Sequence, residues 1–255
     1  GMFRNPMADP GILGISSGAG LGAVIAIAAG LTAKSLFFLP ASASAGALVA
    51  AAVIFLLSSR GGKMQSVTLV LTGIAVSMFL GSATTFVLNL INSNQVKQFI
   101  FWTMGSFNAT QWVDVKIAFF PILAGIVLLN LFARDLNMLQ LGEEESTSSG
   151  LNPTSTRRII MIISSITTAA AVCVSGTISF VGLIVPHIMR LLLGPDHKRL
   201  LPASAVGGAI LLVFCDLLGR TIMEPNEISV GIITSFLGAP YFLYLLRRAR
   251  REMYI

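Results

Sequence analysis

Arg158-Ile-Ile-Met-Ile-Ile-Ser-Ser-Ile-Thr-Thr-Ala-Ala-Ala-Val-Cys-Val-Ser-Gly-Thr-Ile-Ser-Phe-Val-Gly-Leu-Ile-Val-Pro-His-Ile-Met-Arg190 is the stretch on which the architecture turns. No Asp, Glu, Lys or Arg lies between its two arginines. A hydrocarbon core about 30 Å thick takes about 20 apolar residues per helix. This run is therefore either one broken span or two short ones, 158–175 and 178–194, turning at Ser175-Gly176-Thr177. The choice fixes the parity of the span count, and so the side of the membrane on which every later loop lies.

Outward from this run, other charge-free segments mark further candidates. They predict helices over about 11–31, 41–59, 65–91, 116–134, 200–222 and 229–247. The positive-inside rule then decides the parity. Eight spans with a cytoplasmic start place 13 of the 17 basic residues inside, leaving only Lys34, Lys97, Lys116 and Arg220 outside. Seven spans would invert everything after Arg158 and put the Arg247-Arg248-Ala-Arg250-Arg251 tail outside. The eight-span reading is adopted. It yields an all-α, polytopic transmembrane helix bundle with a cytoplasmic C-terminus.

Composition agrees. Of 255 residues, 55% are hydrophobic and 11% charged, and the mean hydropathy is +0.83. A soluble domain carries about 25% charged residues, so this chain cannot cover a water-facing surface. A net charge of +6 could suggest nucleic acid, but the basic residues sit between apolar spans and read as orientation signals. No nucleic-acid partner is expected; the lipid bilayer is. Cys173 and Cys215 lie inside apolar runs and read as small packing residues. The start, Gly1-Met-Phe-Arg-Asn-Pro, has neither a basic n-region nor a cleavage pattern.

One long segment cannot sit in lipid. The loop 135–158 carries Asp135, Glu143, Glu144, Glu145 and the Arg157-Arg158 pair, and the charge count puts it in the cytoplasm. It reads as the docking surface for a soluble partner. The segment 96–104, with Trp102 nearby Trp112, suits a short helix at the external membrane surface.

Chemistry within the spans is sparse. There is no GxxxxGK[ST] motif, so ATP hydrolysis is not expected of this chain, and no triad or metal-ligand cluster is visible: no enzyme site, no cofactor. Gly14, Gly18 and Gly22 have the small-xxx-small spacing that brings helices close. Span 65–91 carries a polar stripe, Thr68, Thr72, Ser77, Gly81, Thr84, Thr85 and Asn89, which lines a water-filled path or else bonds neighbouring helices. Gly73-Ile-x-x-Ser77-Met-Phe-Leu-Gly81 is partly repeated as Gly231-Ile-x-x-Ser235-Phe-Leu-Gly238 in the last span, which runs the other way, as in inverted-repeat transporters. Asp216 and Arg220 can pair along one helix face, and His187 beside Pro186 reads as a structural hydrogen bond at a proline break.

Several stretches together resemble one family. They are Arg4-Asn-Pro-Met-Ala-Asp-Pro-Gly-Ile-Leu-Gly-Ile-Ser-Ser-Gly-Ala-Gly20, Phe101-Trp-Thr-Met-Gly-Ser106, Leu141-Gly-Glu-Glu144 with Gly150, Ile178-Ser-Phe-Val-Gly-Leu-Ile-Val-Pro-His-Ile-Met-Arg190, Gly194-Pro-Asp-His197, Asp216-Leu-Leu-Gly-Arg-Thr221 and Glu227-Ile-Ser-Val-Gly-Ile-Ile-Thr-Ser-Phe-Leu-Gly-Ala-Pro240. The chain is similar throughout to the permease subunits of bacterial ABC importers for iron-siderophores, haem and vitamin B12. The resemblance implies a ten-helix fold of which this chain looks like helices three to ten. It implies a second permease copy or paralogue, cytoplasmic ATP-binding subunits and an extracytoplasmic substrate-binding protein, in the bacterial plasma membrane. It implies that Leu141, Gly142, Glu143, Glu144 and Gly150 couple to the ATPase, and that Asn5, Met7, Gln65 and Ser66 form the cytoplasmic gate. Ser77, Gly81, Thr84, Thr85, Asn89 and Ser235 would line the path, and Arg220 would lie where the binding protein docks. One departure is visible: similar proteins have an alanine and a basic residue where this chain has Ser146-Thr147. An ion-gradient-driven secondary transporter is the alternative, disfavoured because Asp216 is the one carboxylate central in a span and Arg220 can neutralise it.

Overall fold

A computed structural model describes residues 14–253 except 36, 61, 62, 65 and 109. Eleven α-helices occupy most of that length: α1 (Ile15–Ala28), α2 (Phe38–Ser58), α3 (Ser66–Leu88), α4 (Ser93–Thr103), α5 (Trp112–Leu131), α6 (Ala133–Leu141), α7 (Glu143–Ser148), α8 (Pro153–Ser175), α9 (Val181–Leu193), α10 (His197–Thr221) and α11 (Val230–Met253). The only sheet among the described residues is a two-residue antiparallel pairing, Ser59–Arg60 with Lys63–Met64, which turns the chain between α2 and α3. By length and composition α2, α5, α8, α10 and residues 68–88 of α3 can each cross a bilayer; residues 15–28, 181–193 and 230–245 form shorter apolar helices.

The run 158–190 folds as two helices. Gly176 ends α8 at a φ of 68°, and Phe180 starts α9 at a φ of 67°. Glycine adopts that left-handed region without Cβ strain; phenylalanine there is an outlier. Phe180 is held in place because its ring and Cβ fill the space beside Gly238 of α11, where an added Cβ would fall 2.3 Å from the Phe180 Cβ.

Helix starts differ from the charge-bounded expectation for a physical reason. α8 begins at Pro153, not at 158, because the Asn152 side chain accepts the Ser155 N–H and proline suits the first helical position. α5 begins at Trp112, not at 116, with Asp114 accepting the Gln111 N–H. α4 is fixed by a capping box in which Asn92 and Gln95 satisfy each other's backbone N–H groups. A charge cannot sit far inside lipid, but it can end a helix that starts a turn earlier.

α1 and α2 make the tightest pairing. A Cβ on Gly18 would sit 2.4 Å from the Gly46 carbonyl oxygen, and one on Gly22 would sit 2.1 Å from that of Ser42. The glycines at this spacing therefore let two backbones touch, the packing that association in lipid depends on. Two apolar clusters hold the rest. One joins Ile15, Val24 and Ile27 of α1 to Ala43 and Ala47 of α2, Phe99 of α4 and Val172 of α8. The other joins Ile54 of α2, Leu69 of α3, Leu136 and Leu139 of α6, and Ile160 and Met161 of α8. The first lies towards the end where α8 finishes, the second where it begins. α3 and α11 run antiparallel: Leu69, near the start of α3, belongs to the second cluster, while Gly231, at the start of α11, meets the loop after α4.

Candidate functional site

Three features form the candidate site: the free faces of α3 and α11, the α6–α7 segment at one end of the bundle, and the end of α10 at the other.

Among the described residues α3 packs mainly on α1 and α2, with Leu69 near its start also in the second cluster, and its later part is largely open. Its polar stripe divides between two sides. Ser77 turns inward, its buried hydroxyl against Gly14, and Thr84 is also buried. Gly81, Thr85 and Asn89 are exposed, alongside Met78, Phe79 and Phe86. A Cβ placed on Gly81 would meet nothing within 4 Å. The hydroxyls of Ser82, Thr84 and Thr85 and the amide of Asn89 all donate to carbonyls one turn back, those of Met78, Leu80, Gly81 and Thr85. The hydroxyl donors and one of the two Asn89 amide N–H groups are thus satisfied within the helix, so much of the face is tolerable in an apolar setting, while their oxygens still accept hydrogen bonds.

On α11, Ser235 is half-buried and donates to the Gly231 carbonyl at 2.7 Å; buried Thr234 donates to the same oxygen at 3.1 Å. Phe236, Leu237, Leu243 and Tyr244 are exposed. The start of α11 is locked to two other elements. Gly231 N–H donates to the Gly105 carbonyl, Thr177 Oγ1 donates to the Thr103 carbonyl at 2.7 Å, and Ser106 N–H donates to the Ser175 carbonyl. Gly231 must be glycine here, since a Cβ would stand 2.1 Å from the Met104 oxygen. This knot ties the α8–α9 break to α4 and α11. The sequence does not show it, although Gly105 and Gly231 stand in motifs and Gly176 in the expected turn.

Between α1, α5, α8 and α9 lies a separate cavity of about 810 Å³. Hydroxyl groups such as Ser17, Thr110, Thr167 and Thr177 line it, with apolar residues between and, among the described residues, no ionisable side chain. None of the six expected path residues lines it.

The polar segment 135–158 folds mainly as α6 and α7. α6 is amphipathic: Leu136 and Leu139 are buried in the second cluster, while Leu141 is 66% exposed. Burying a leucine from water is worth about 1.5–3 kcal/mol, enough for the two to seat so short a helix. Gly142, at a φ of 139°, separates the helices, and Gly150, at a φ of 82°, follows α7. Glu144 and Glu145 are exposed. Ser146 is fully buried and donates its hydroxyl to the Met138 carbonyl at 2.8 Å, with the Gly142 carbonyl also in contact. Ser146 therefore occupies a place where only a small side chain fits. It satisfies one of the carbonyls that the end of α6 leaves open. At the next helix, Arg158 stacks over the Phe55 ring at 5.2 Å.

Asn137 lies on the α6 face turned towards α10, and no motif in the sequence points to it. Its Nδ2 donates to Asp196 Oδ1 at 2.7 Å, and its Oδ1 accepts the His197 backbone N–H at 2.9 Å. The amide, and then the Lys198 N–H that the same carboxylate caps, hold the Asp196 carboxyl below its usual range. The carboxylate is therefore ionised at neutral pH.

At the opposite end of α10, Arg220 is 45% exposed and its Nε donates to Asp216 Oδ2 at 2.9 Å. A cation suits the last turn of a helix. Of the expected gate, Asn5, Met7 and Gln65 fall outside the described residues, and Ser66 opens α3.

Comparison with known proteins places this geometry. The chain is 44% identical over 249 residues to the cobalamin import system permease protein BtuC of Halobacterium salinarum, covering 97% of this chain and 66% of that one. It is 43% identical over 255 residues to the hemin transport system permease protein HmuU of Yersinia pestis, covering 99% of this chain and 76% of that one. The chain thus spans about two thirds to three quarters of the length of these relatives. A solved structure described as an inward-facing conformation of an ABC transporter superposes with a TM-score of 0.89 at 31% identity, over 97% of this chain and 78% of that one. The family model for the FecCD transport family matches residues 1–248. The chain therefore belongs to the FecCD transport family, multi-pass membrane permeases of ABC importers, and is a transport subunit rather than an enzyme.

Proposed function

We propose that this chain is the permease subunit of an ATP-driven importer in the bacterial plasma membrane. It passes an iron-siderophore or a related metal chelate, such as haem or cobalamin, into the cytoplasm. The observation that carries the reading is the uncovered face of α3 around Gly81, Thr85 and Asn89, small and polar yet internally satisfied. Such a face suits a water-filled path shared with a second permease. The relatives named for cobalamin and hemin import support the cargo class. Path residues are Ser77, Gly81, Thr84, Thr85, Asn89 and Ser235; the inward turn of Ser77 and Thr84 gives them a supporting place behind the face. Leu141, Gly142, Glu143, Glu144 and Gly150 present α6–α7 to ATP-binding subunits, Asn5, Met7, Gln65 and Ser66 serve the gate, and exposed Arg220 meets an extracytoplasmic binding protein.

Eight spans, with 135–158 and the C-terminus in the cytoplasm, complete the reading. The three shorter apolar helices then cross the bilayer together with their flanking residues. The charge distribution between loops supports this sidedness. A cysteine replacing Ser148 tests it. In intact cells, after replacement of Cys173 and Cys215, an impermeant thiol reagent should leave it unlabelled and should label it once the membrane is opened. Equal labelling before and after would overturn the topology.

A further inference from the structure

α6 is attached to the bundle in two unlike ways. Leu136 and Leu139 rest on apolar side chains of α2, α3 and α8, contacts that tolerate sliding. Asn137 instead makes directional hydrogen bonds to the start of α10. Its Nδ2 donates to Asp196 Oδ1 at 2.7 Å, its Oδ1 accepts the His197 N–H at 2.9 Å, and His197 Nδ1 stands 2.7 Å from the same oxygen. With Nδ1 protonated, one side-chain amide reads both residues, and His197 is buried. α10 does not need Asn137 in order to start, because Asp196 itself caps it by accepting the Lys198 N–H. The amide is thus a link between two elements rather than a helix cap. Beside it the elements stand apart around a groove of about 320 Å³ edged by Gln140, Leu193 and Arg199.

We propose that Asn137 is a positioning residue that makes the coupling segment and the start of α10 move as one unit. Resting on the coupling role of α6–α7, the proposal assigns the route by which an ATP-driven displacement enters the bundle. It passes from α6 through the Asn137 amide to α10, and from α10 to α11, which packs on it. The Asn137 side-chain hydrogen bonds seen among the described residues go to the start of α10, so the link it makes is to that element. The chemistry is specific. Aspartate at 137 keeps the shape and still accepts from His197, but sets a carboxylate against ionised Asp196. The reciprocal exchange, Asn137→Asp with Asp196→Asn, restores a donor opposite an acceptor; it gives up the cap on α10, because the Asp196 Oδ1 that accepts from Asn137 also accepts the Lys198 N–H.

The test uses the assembled importer with Cys173 and Cys215 replaced and nitroxides at exposed Leu57 on α2 and Val206 on α10. The distance is read by pulsed electron resonance without nucleotide and with ATP plus vanadate. Unmodified Asn137 should give a nucleotide-dependent shift. Asn137→Asp should lose that shift while the ATP-binding subunits still co-purify and hydrolyse ATP. The double exchange should regain it. A shift that survives Asn137→Asp, or a double exchange that behaves like the single one, overturns the proposal. Should the unmodified permease fail to retain ATP-binding subunits at all, the coupling role itself falls, and the proposal with it.

Discussion

Tryptophan at Gly81 is expected to bring uptake to background while leaving the permease inserted and assembled. The expectation rests on two facts that rarely coincide. A Cβ at Gly81 meets nothing within 4 Å, so a side chain can leave the helix there without a clash at its root. Yet Gly81 lies in the middle of the face offered as the path, with Thr85 one turn on and Asn89 two turns on. A bulky indole there would obstruct a large cargo without unfolding the helix. The inward residues supply the contrast. Thr84 is buried, so tryptophan there overpacks, an effect typically worth about 1–3 kcal/mol, and should lower the yield of folded protein as well. The check is uptake of radioiron-loaded siderophore, hemin and cobalamin probes by cells, beside the membrane content of each variant. Normal uptake by Gly81→Trp would reduce the polar stripe to a packing feature.

Charge reversal at Glu144 is the second large effect. Glu144 is exposed on α7, and α7 is held from behind by buried Ser146, so Glu144→Arg changes the presented surface and not the seat of the helix. If that surface docks an ATP-binding subunit, reversing one charge at the contact costs about 2–5 kcal/mol. At about 1.4 kcal/mol per factor of ten, co-purification and uptake should both fall by more than tenfold. Reversal at Glu224, exposed in the turn after α10, should leave co-purification unchanged. Retention of the ATP-binding subunit by Glu144→Arg at the normal ratio would move the docking surface elsewhere.

Much of this was legible because lipid imposes a coarse grammar. Charges bound the apolar runs, and a glycine between two short runs reads as a break, as at Gly176. The caps were less visible. Asn152 and Asn92 start their helices from loops, and their effect is to extend helices past the point where composition alone would end them. The polar stripe shows a deeper limit. From Ser77 to Asn89 the positions advance about 120° around the helix, so spacing joins them into one line although only its later part is open. Which side of α3 is covered depends on where α1 lies, and that is decided by glycine contacts between α1 and α2 far away in the chain. Asn137 was hidden for the same reason. It is an ordinary polar residue in a polar segment, and only the fold brings Asp196 to it across 59 positions. One weak signal is present: Gly194-Pro-Asp-His197 is among the stretches that carry the family resemblance.

The most direct measurement reconstitutes the permease, as the cell makes it, into vesicles with its ATP-binding subunits and binding protein. Uptake of each probe is then followed with ATP inside or outside and with ionophores that collapse ion gradients. The account predicts uptake that requires ATP on the side facing α6–α7 and is indifferent to ionophores. Uptake that proceeds without ATP and stops when the gradients are collapsed would contradict it.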